Sequence, residues 1–180
     1  MKITFDAKVT LTITSICLVA FALLNLFSNQ VSGLFILNGQ FERESASWYL
    51  STVMYIFGHA DLQHLFGNLS FFLVLSPIVE KAYGVKKYLL MIVTAAIFTA
   101  IIHTLFWDNG LMGLSGIVFM LIILSTLIHA KTNEIPFTFI LVLLFYFSQE
   151  VYLSFSKDNV SHMAHLAGGI SGIFWGYFKR

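Results

Sequence analysis

Charged residues are scarce in this sequence, and their scarcity excludes a soluble globular fold. Asp, Glu, Lys and Arg make up 11% of the 180 residues, whereas hydrophobic residues make up 58%. A soluble domain carries about 25% charged residues, which it needs to cover its surface. The mean hydropathy of +0.83 points the same way. We therefore predict a polytopic membrane protein whose surface is solvated largely by the lipid bilayer.

Cysteine and an excess of positive charge are also missing. The one cysteine, Cys17, lies inside an apolar run, which excludes a disulfide framework and a cysteine metal site. The net charge of +1 argues against a nucleic-acid partner, which would require a basic face. No repeat or linker divides the chain, so residues 1–180 are expected to form one membrane domain. We expect no cofactor and no metal.

The apolar runs predict an all-α bundle of six transmembrane helices. A helix of about 20 apolar residues crosses the hydrocarbon core, and the expected spans are residues 9–27, 64–82, 88–107, 115–129, 136–155 and 161–178. Between the first two spans, residues 28–58 mix charges with Trp48, Tyr49 and Tyr55. Because Trp and Tyr are typical of membrane interfaces, we expect a long first loop that is embedded in the membrane surface.

The basic residues predict the orientation of the six spans. One side of the bundle would carry Lys2, Lys8, Lys81, Lys86, Lys87, Lys131, Lys179 and Arg180, and the other only Arg43 and Lys157. Short loops rich in Lys and Arg stay in the cytoplasm. We therefore expect a multi-pass protein of the cell (inner) membrane with cytoplasmic N- and C-termini.

Polar side chains collect in the outer halves of three spans. His64 and Asn68 lie one turn apart on the second span, Ser115 begins the fourth, and His165 follows the start of the sixth. Polar groups inside a membrane are costly unless they have partners, and they mark functional sites. The sequence therefore predicts an active site that opens to the extracytoplasmic side.

Small residues predict which helices meet at that site. On the sixth span they recur every four residues, at Ala164, Gly168, Gly172 and Gly176. Such a stripe lets a neighbouring helix approach closely, and the segment 113–116, with glycine on both sides of Ser115, is a suitable partner. Taken alone, this segment is more typical of a helix start than of a nucleophile. The contact would bring Ser115 within hydrogen-bonding reach of His165.

A serine hydroxyl needs a base to attack a peptide carbonyl, and a neutral imidazole can take its proton. Asp61, Asp108 and Asp158 are assigned to loops, so we expect no carboxylate in the outer halves of the spans. The prediction is a serine–histidine dyad without a third acidic residue. His64, Asn68 and the Ser115 backbone N–H are candidates to stabilise the oxyanion.

Three motifs resemble those of the rhomboid family of intramembrane serine proteases. Residues 57–68 contain a His-x-x-x-Asn motif with a further histidine five residues upstream, residues 113–116 match Gly-x-Ser-Gly, and residues 164–168 match Ala-His-x-x-Gly. Residues 79–84 are also similar to the family pattern. The motifs occur in the expected order over residues 9–178.

The resemblance implies a nucleophilic Ser115, a general base at His165, and an oxyanion site formed by His64, Asn68 and the Ser115 N–H. Supporting positions are Gly113, Gly116, Phe119, Gly168 and Gly172. It also implies substrates that are transmembrane segments of other proteins and that enter from the side. Phe119 stands where many bacterial members have tyrosine, and Trp48-Tyr49 where many have Trp-Arg.

Two other functions fit the sequence less well. A rhomboid-like protein could bind membrane proteins without cutting them, although the intact Ser115 and His165 argue against this. A haem- or metal-binding membrane protein could use His64, His103 and His162. The sequence shows no inverted repeats, which would favour a transporter. It also lacks the motifs of the zinc and aspartyl intramembrane proteases.

Overall fold

The computed structural model describes residues 6–131, 134–154 and 161–178, and the fold within these ranges is helical. Seven helices occur there: α1 (Lys8–Phe35), α2 (Ala46–Met54), α3 (Leu62–Tyr83), α4 (Val85–Phe106), α5 (Ser115–Leu127), α6 (Phe137–Leu153) and α7 (His162–Tyr177). A short 3-10 turn, Tyr55–Phe57, follows α2, and Leu143–Phe147 of α6 form π-helical turns. The predicted all-α class is confirmed.

Three of the helices can cross a membrane by length and composition, namely α1, α3 and α4, and α5 and α6 are shorter apolar helices. Large apolar side chains also remain exposed on the outside of the bundle, including Leu26, Val74 and Phe145. Such a surface is stable in lipid but not in water. The chain is a membrane protein, and the count of six spans stays a prediction.

The prediction of a loop from residue 28 was wrong for residues 28–35, which continue α1 to Phe35. The backbone departs from helical angles at Phe27, with φ −136° and ψ 36°, and the helix then resumes. Hydropathy falls at Ser28, Asn29 and Gln30, but these residues are tolerated in a helix outside the apolar layer. The loop also contains the helix α2, which is capped by Ser45.

A buried carboxylate joins the helices at the end of the bundle opposite Ser115. Glu80 on α3 accepts hydrogen bonds from the backbone N–H groups of Val9 and Thr10, both at 2.9 Å. These donors belong to the first turn of α1, where a helix has no internal partners for them. The Thr10 hydroxyl also donates to Glu80 at 2.8 Å. Glu80 therefore has a structural role, because it ties the start of α1 to α3.

Helix α5 is packed into the centre of the bundle against α7. A Cβ atom on Gly168 would overlap the backbone of Gly116, including its carbonyl oxygen, and one on Gly172 would lie 2.7 Å from the Met120 carbonyl oxygen. The two backbones are therefore in direct contact. This is the close approach that the small-residue stripe on the sixth span predicted, and it holds the start of α5 next to the start of α7.

The loop that leads into α5 is tied to the first loop. Leu37 and Leu111 exchange two backbone hydrogen bonds of 2.9 Å, and the Gly113 N–H donates to the Tyr55 carbonyl at 3.0 Å. His103 on α4 pairs through Nε2 with the Asn109 carbonyl at 2.8 Å. These contacts fix the approach to Ser115 from both sides.

Candidate active site

Gly113 brings the α5 entry loop against two polar residues of α3. Its φ of +123° favours glycine. A Cβ atom here would also lie 2.8 Å from both Nε2 and Cε1 of His64 and 3.9 Å from the Asn68 side-chain nitrogen. The polar edge of the His64 imidazole therefore faces the backbone two residues before Ser115. The structure brings His64 and Asn68 to the same side of the Ser115 motif.

Each of these two α3 residues is held in place by local hydrogen bonds. Asp61 caps α3 by accepting the His64 N–H at 2.7 Å. The Asn68 amide nitrogen donates to the His64 carbonyl at 3.0 Å, which occupies one of its two N–H groups. Among the described residues no acceptor pairs with the second N–H, which can therefore donate to a ligand.

Ser115 is the first residue of α5 and is half-buried. The N–H groups in the first turn of a helix have no intrahelical acceptors, so they can donate to a negative charge beside the serine. Among the described residues, no hydrogen bond joins Ser115 to His165, whose Nδ1 faces Glu150. Catalytic hydrogen bonds often shorten only when substrate binds.

His165 lies beside the face of α5 that carries Ser115. Its ring stacks on Phe119, with the ring centroids 4.4 Å apart and the planes at 9°. Phe119 follows Ser115 by four residues and therefore shares its face of the helix. The ring of Phe119 therefore stacks on the imidazole even though it carries no hydroxyl group.

The expectation of no carboxylate at this level was wrong, because Glu150 of α6 contacts His165. Its Oε2 lies 2.8 Å from the Nδ1 of His165 and 2.7 Å from the Nδ1 of His162. The sequence analysis assigned Asp61, Asp108 and Asp158 to loops and overlooked Glu150, which lies near the end of the fifth predicted span. His162 is buried in the same cluster rather than facing water.

The histidines proposed for a metal or haem do not meet as a group within the described residues. His64 faces Gly113, His103 pairs with Asn109, and His162 contacts Glu150. Another set could hold a metal ion, because the ligand atoms of Glu150, His162 and His165 lie within 4.8 Å of one another. The short contacts from one carboxylate oxygen to two imidazole nitrogens are those of hydrogen bonds.

Comparison with known proteins identifies the family. The model of the rhomboid domain matches residues 44–180, which include His64, Asn68, Ser115, Glu150 and His165. The chain belongs to the rhomboid family. It is 26% identical over 178 residues to the rhomboid protease GlpG of Haemophilus influenzae, covering 96% of this chain and 91% of that protein.

A second rhomboid relative is a much longer protein. The rhomboid-related protein 1 of Caenorhabditis elegans is 30% identical over 137 residues, which cover 68% of this chain and 38% of that protein. The match therefore covers about two thirds of this chain and well under half of that protein.

A buried histidine, His59, lies beside His64 in the loop before α3. It is 2% exposed, and its ring centroid is 5.0 Å from that of His64. Burial, with a smaller contribution from the charge of His64, lowers the pKa of His59 from 6.5 to about 4. Between these values the unfolded chain binds a proton that the folded protein does not bind. Stability should therefore fall by about 3 kcal/mol as the pH drops from 6.5 to 4.

This pH dependence can be measured by thermal unfolding in detergent at pH 7 and pH 4.5. His59→Gln has no proton to bind, so the variant should lose less stability than the wild type over the same interval. An equal loss in both proteins would mean that other groups cause the acid sensitivity.

Proposed function

We propose that this rhomboid is an intramembrane serine endopeptidase that cleaves transmembrane segments of other proteins with Ser115 and His165. The observation that carries the proposal is the contact of the Ser115 helix with the His165 helix, opposite the His64 and Asn68 side chains. The name of its Haemophilus relative, a rhomboid protease, supports the same activity. A non-catalytic binding protein would have no need of a nucleophile at the N-terminus of α5.

The chemistry follows from the positions of the donors. Ser115 Oγ attacks the substrate carbonyl carbon while His165 accepts the hydroxyl proton. The negative charge on the carbonyl oxygen is stabilised by the Ser115 N–H, the free N–H of Asn68 and the His64 imidazole, each such donor contributing about 3 kcal/mol. His165 then protonates the leaving amine, and water hydrolyses the acyl-enzyme with His165 again as the base.

A cleft along the side of the bundle suits lateral entry of a substrate helix. Its volume is 380 Å³, and it is lined by exposed Phe71 and Val74 of α3, Ile122 of α5 and Tyr146 of α6. The Tyr146 ring meets Phe119 edge to face at 5.9 Å, and Phe119 stacks on His165. The cleft is therefore connected to the base through two aromatic side chains.

The proposal includes a six-span topology with the Ser115 end extracytoplasmic and the first loop in the outer leaflet. The distribution of Lys and Arg supports the orientation. An exposed aromatic cluster supports the loop position, because Phe41 packs on Trp48 at 4.8 Å and Trp48 on Tyr49 at 5.3 Å between ring centroids. Such side chains favour the membrane interface.

Labelling with a fluorophosphonate tests the proposed nucleophile directly. A fluorophosphonate reacts only with a serine whose hydroxyl is activated by a base. We expect the purified wild type to be labelled on Ser115, and Ser115→Ala and His165→Ala to be unlabelled. A wild-type protein that is folded and not labelled would favour a non-catalytic rhomboid that binds membrane proteins.

A further inference from the structure

Helix α6 buries an acidic side chain that has no role in the reaction proposed for Ser115 and His165. Among residues 137–153 of α6, the one buried residue is Glu150, at 5% exposure. Aromatic side chains elsewhere on the helix face outward, for example Phe145 and Tyr152 at 66% and 76% exposure. A carboxylate in this setting is costly, and packing alone would be served better by an apolar residue.

The two hydrogen bonds of Glu150 set the protonation pattern of the histidines. An ionised carboxylate only accepts hydrogen bonds, so the Nδ1 atoms of His162 and His165, at 2.7 and 2.8 Å, must both carry the proton. In a neutral His165 the Nε2 atom is then unprotonated. This is the tautomer that can take a proton from a serine.

The His165 ring is also fixed in orientation. Phe119 covers one face at 4.4 Å, and Glu150 holds the Nδ1 edge. With its side chain 12% exposed, the imidazole has little room to rotate. A base that is held in one tautomer and one orientation needs no rearrangement when the serine reacts.

We propose that Glu150 is the positioning residue of His165, so that Ser115, His165 and Glu150 act as a serine–histidine–glutamate triad whose third member comes from α6. This inference rests on the proposed function of Ser115 and His165. Glu150 touches neither the substrate nor the reacting atoms. It acts by fixing the tautomer of His165 and by stabilising the imidazolium that forms as the serine proton leaves.

The charged surroundings of His165 make the proposal testable by substitution. The titratable groups that face it are Glu150 from α6, His162 from its own helix and His64 from α3. Glu150 is the one acidic group among them. Replacing its carboxylate by an amide therefore removes the negative charge beside His165 and keeps the shape of the side chain.

The experiment measures kcat and KM on a transmembrane reporter substrate for the wild type, Glu150→Gln and Glu150→Asp. We expect Glu150→Gln to lower kcat by about 10- to 100-fold with KM within a factor of about two. Glu150→Asp retains the charge and should recover part of the lost kcat.

Glu80→Gln is the matched control. Glu80 has the same 5% exposure and also accepts several hydrogen bonds, but it lies at the opposite end of the bundle. Glu80→Gln should lower the thermal stability and leave kcat in place. If Glu150 only docks α6, Glu150→Gln will likewise lower the thermal stability and leave kcat in place, and the proposal is overturned.

Two further results would separate the possible failures. If Ser115→Ala retained wild-type cleavage, the proposed function itself would be wrong, whatever Glu150 does. If Ser115→Ala were inactive while Glu150→Gln kept the wild-type kcat, the triad alone would be wrong. Activity should be unchanged in EDTA, and a loss in EDTA that zinc restores would identify the Glu150 cluster as a metal site and overturn the proposal.

Discussion

Ser115→Ala is expected to lower kcat/KM for a transmembrane reporter by about 10⁴-fold or more. Without the hydroxyl no acyl-enzyme can form, and the remaining donors at the site can only polarise the scissile carbonyl. His165→Ala should cause a loss of similar size, because the serine then has no base. Neither change should abolish substrate binding, since the cleft between α3, α5 and α6 is intact.

The double variant sharpens this prediction. Two residues that act as one unit give losses that do not add, so Ser115→Ala combined with His165→Ala should be about as inactive as either single variant. Cleavage can be followed by gel electrophoresis of a reporter in detergent or proteoliposomes, with circular dichroism as a check on folding. Independent losses that multiply in the double variant would contradict a joint role of Ser115 and His165.

The architecture around Ser115 could be predicted from sequence because local rules govern it. Apolar runs define helices, and glycine every four residues marks a close helix contact, which Gly116 and Gly168 make. The end of α1 was missed because polar residues lower hydropathy without breaking a helix. Hydropathy predicts where lipid ends, and α1 continues beyond that point to Phe35.

Glu150 was missed for a different physical reason. A carboxylate in an apolar run is normally assigned to a boundary, and its role depends on a partner from another helix. Nothing in the spacing along α6 indicates His162 or His165, which α7 supplies. The stacking of Phe119 on His165 could be anticipated, because the family resemblance already placed an aromatic ring there.

Gly168→Ala is expected to have the largest effect on the fold. The new methyl group would overlap the Gly116 carbonyl oxygen, and backbone atoms cannot move aside as a flexible side chain can. Helices α5 and α7 would have to separate, at a cost of about 3 kcal/mol. The separation also moves Ser115 away from His165, and a displacement of about 1 Å can lower the rate by about 100-fold.

Two other glycines calibrate this effect. Gly172 lies one turn further from Ser115, and a Cβ atom there would lie 2.7 Å from the Met120 carbonyl oxygen, so Gly172→Ala should lower stability more than activity. Gly33 on α1 has no atom within 4 Å of a Cβ position, so Gly33→Ala should be neutral or slightly stabilising. Thermal unfolding and reporter cleavage of the three variants measure both quantities. If Gly168→Ala resembled Gly33→Ala in both, direct backbone contact between α5 and α7 could not be what holds the nucleophile beside its base.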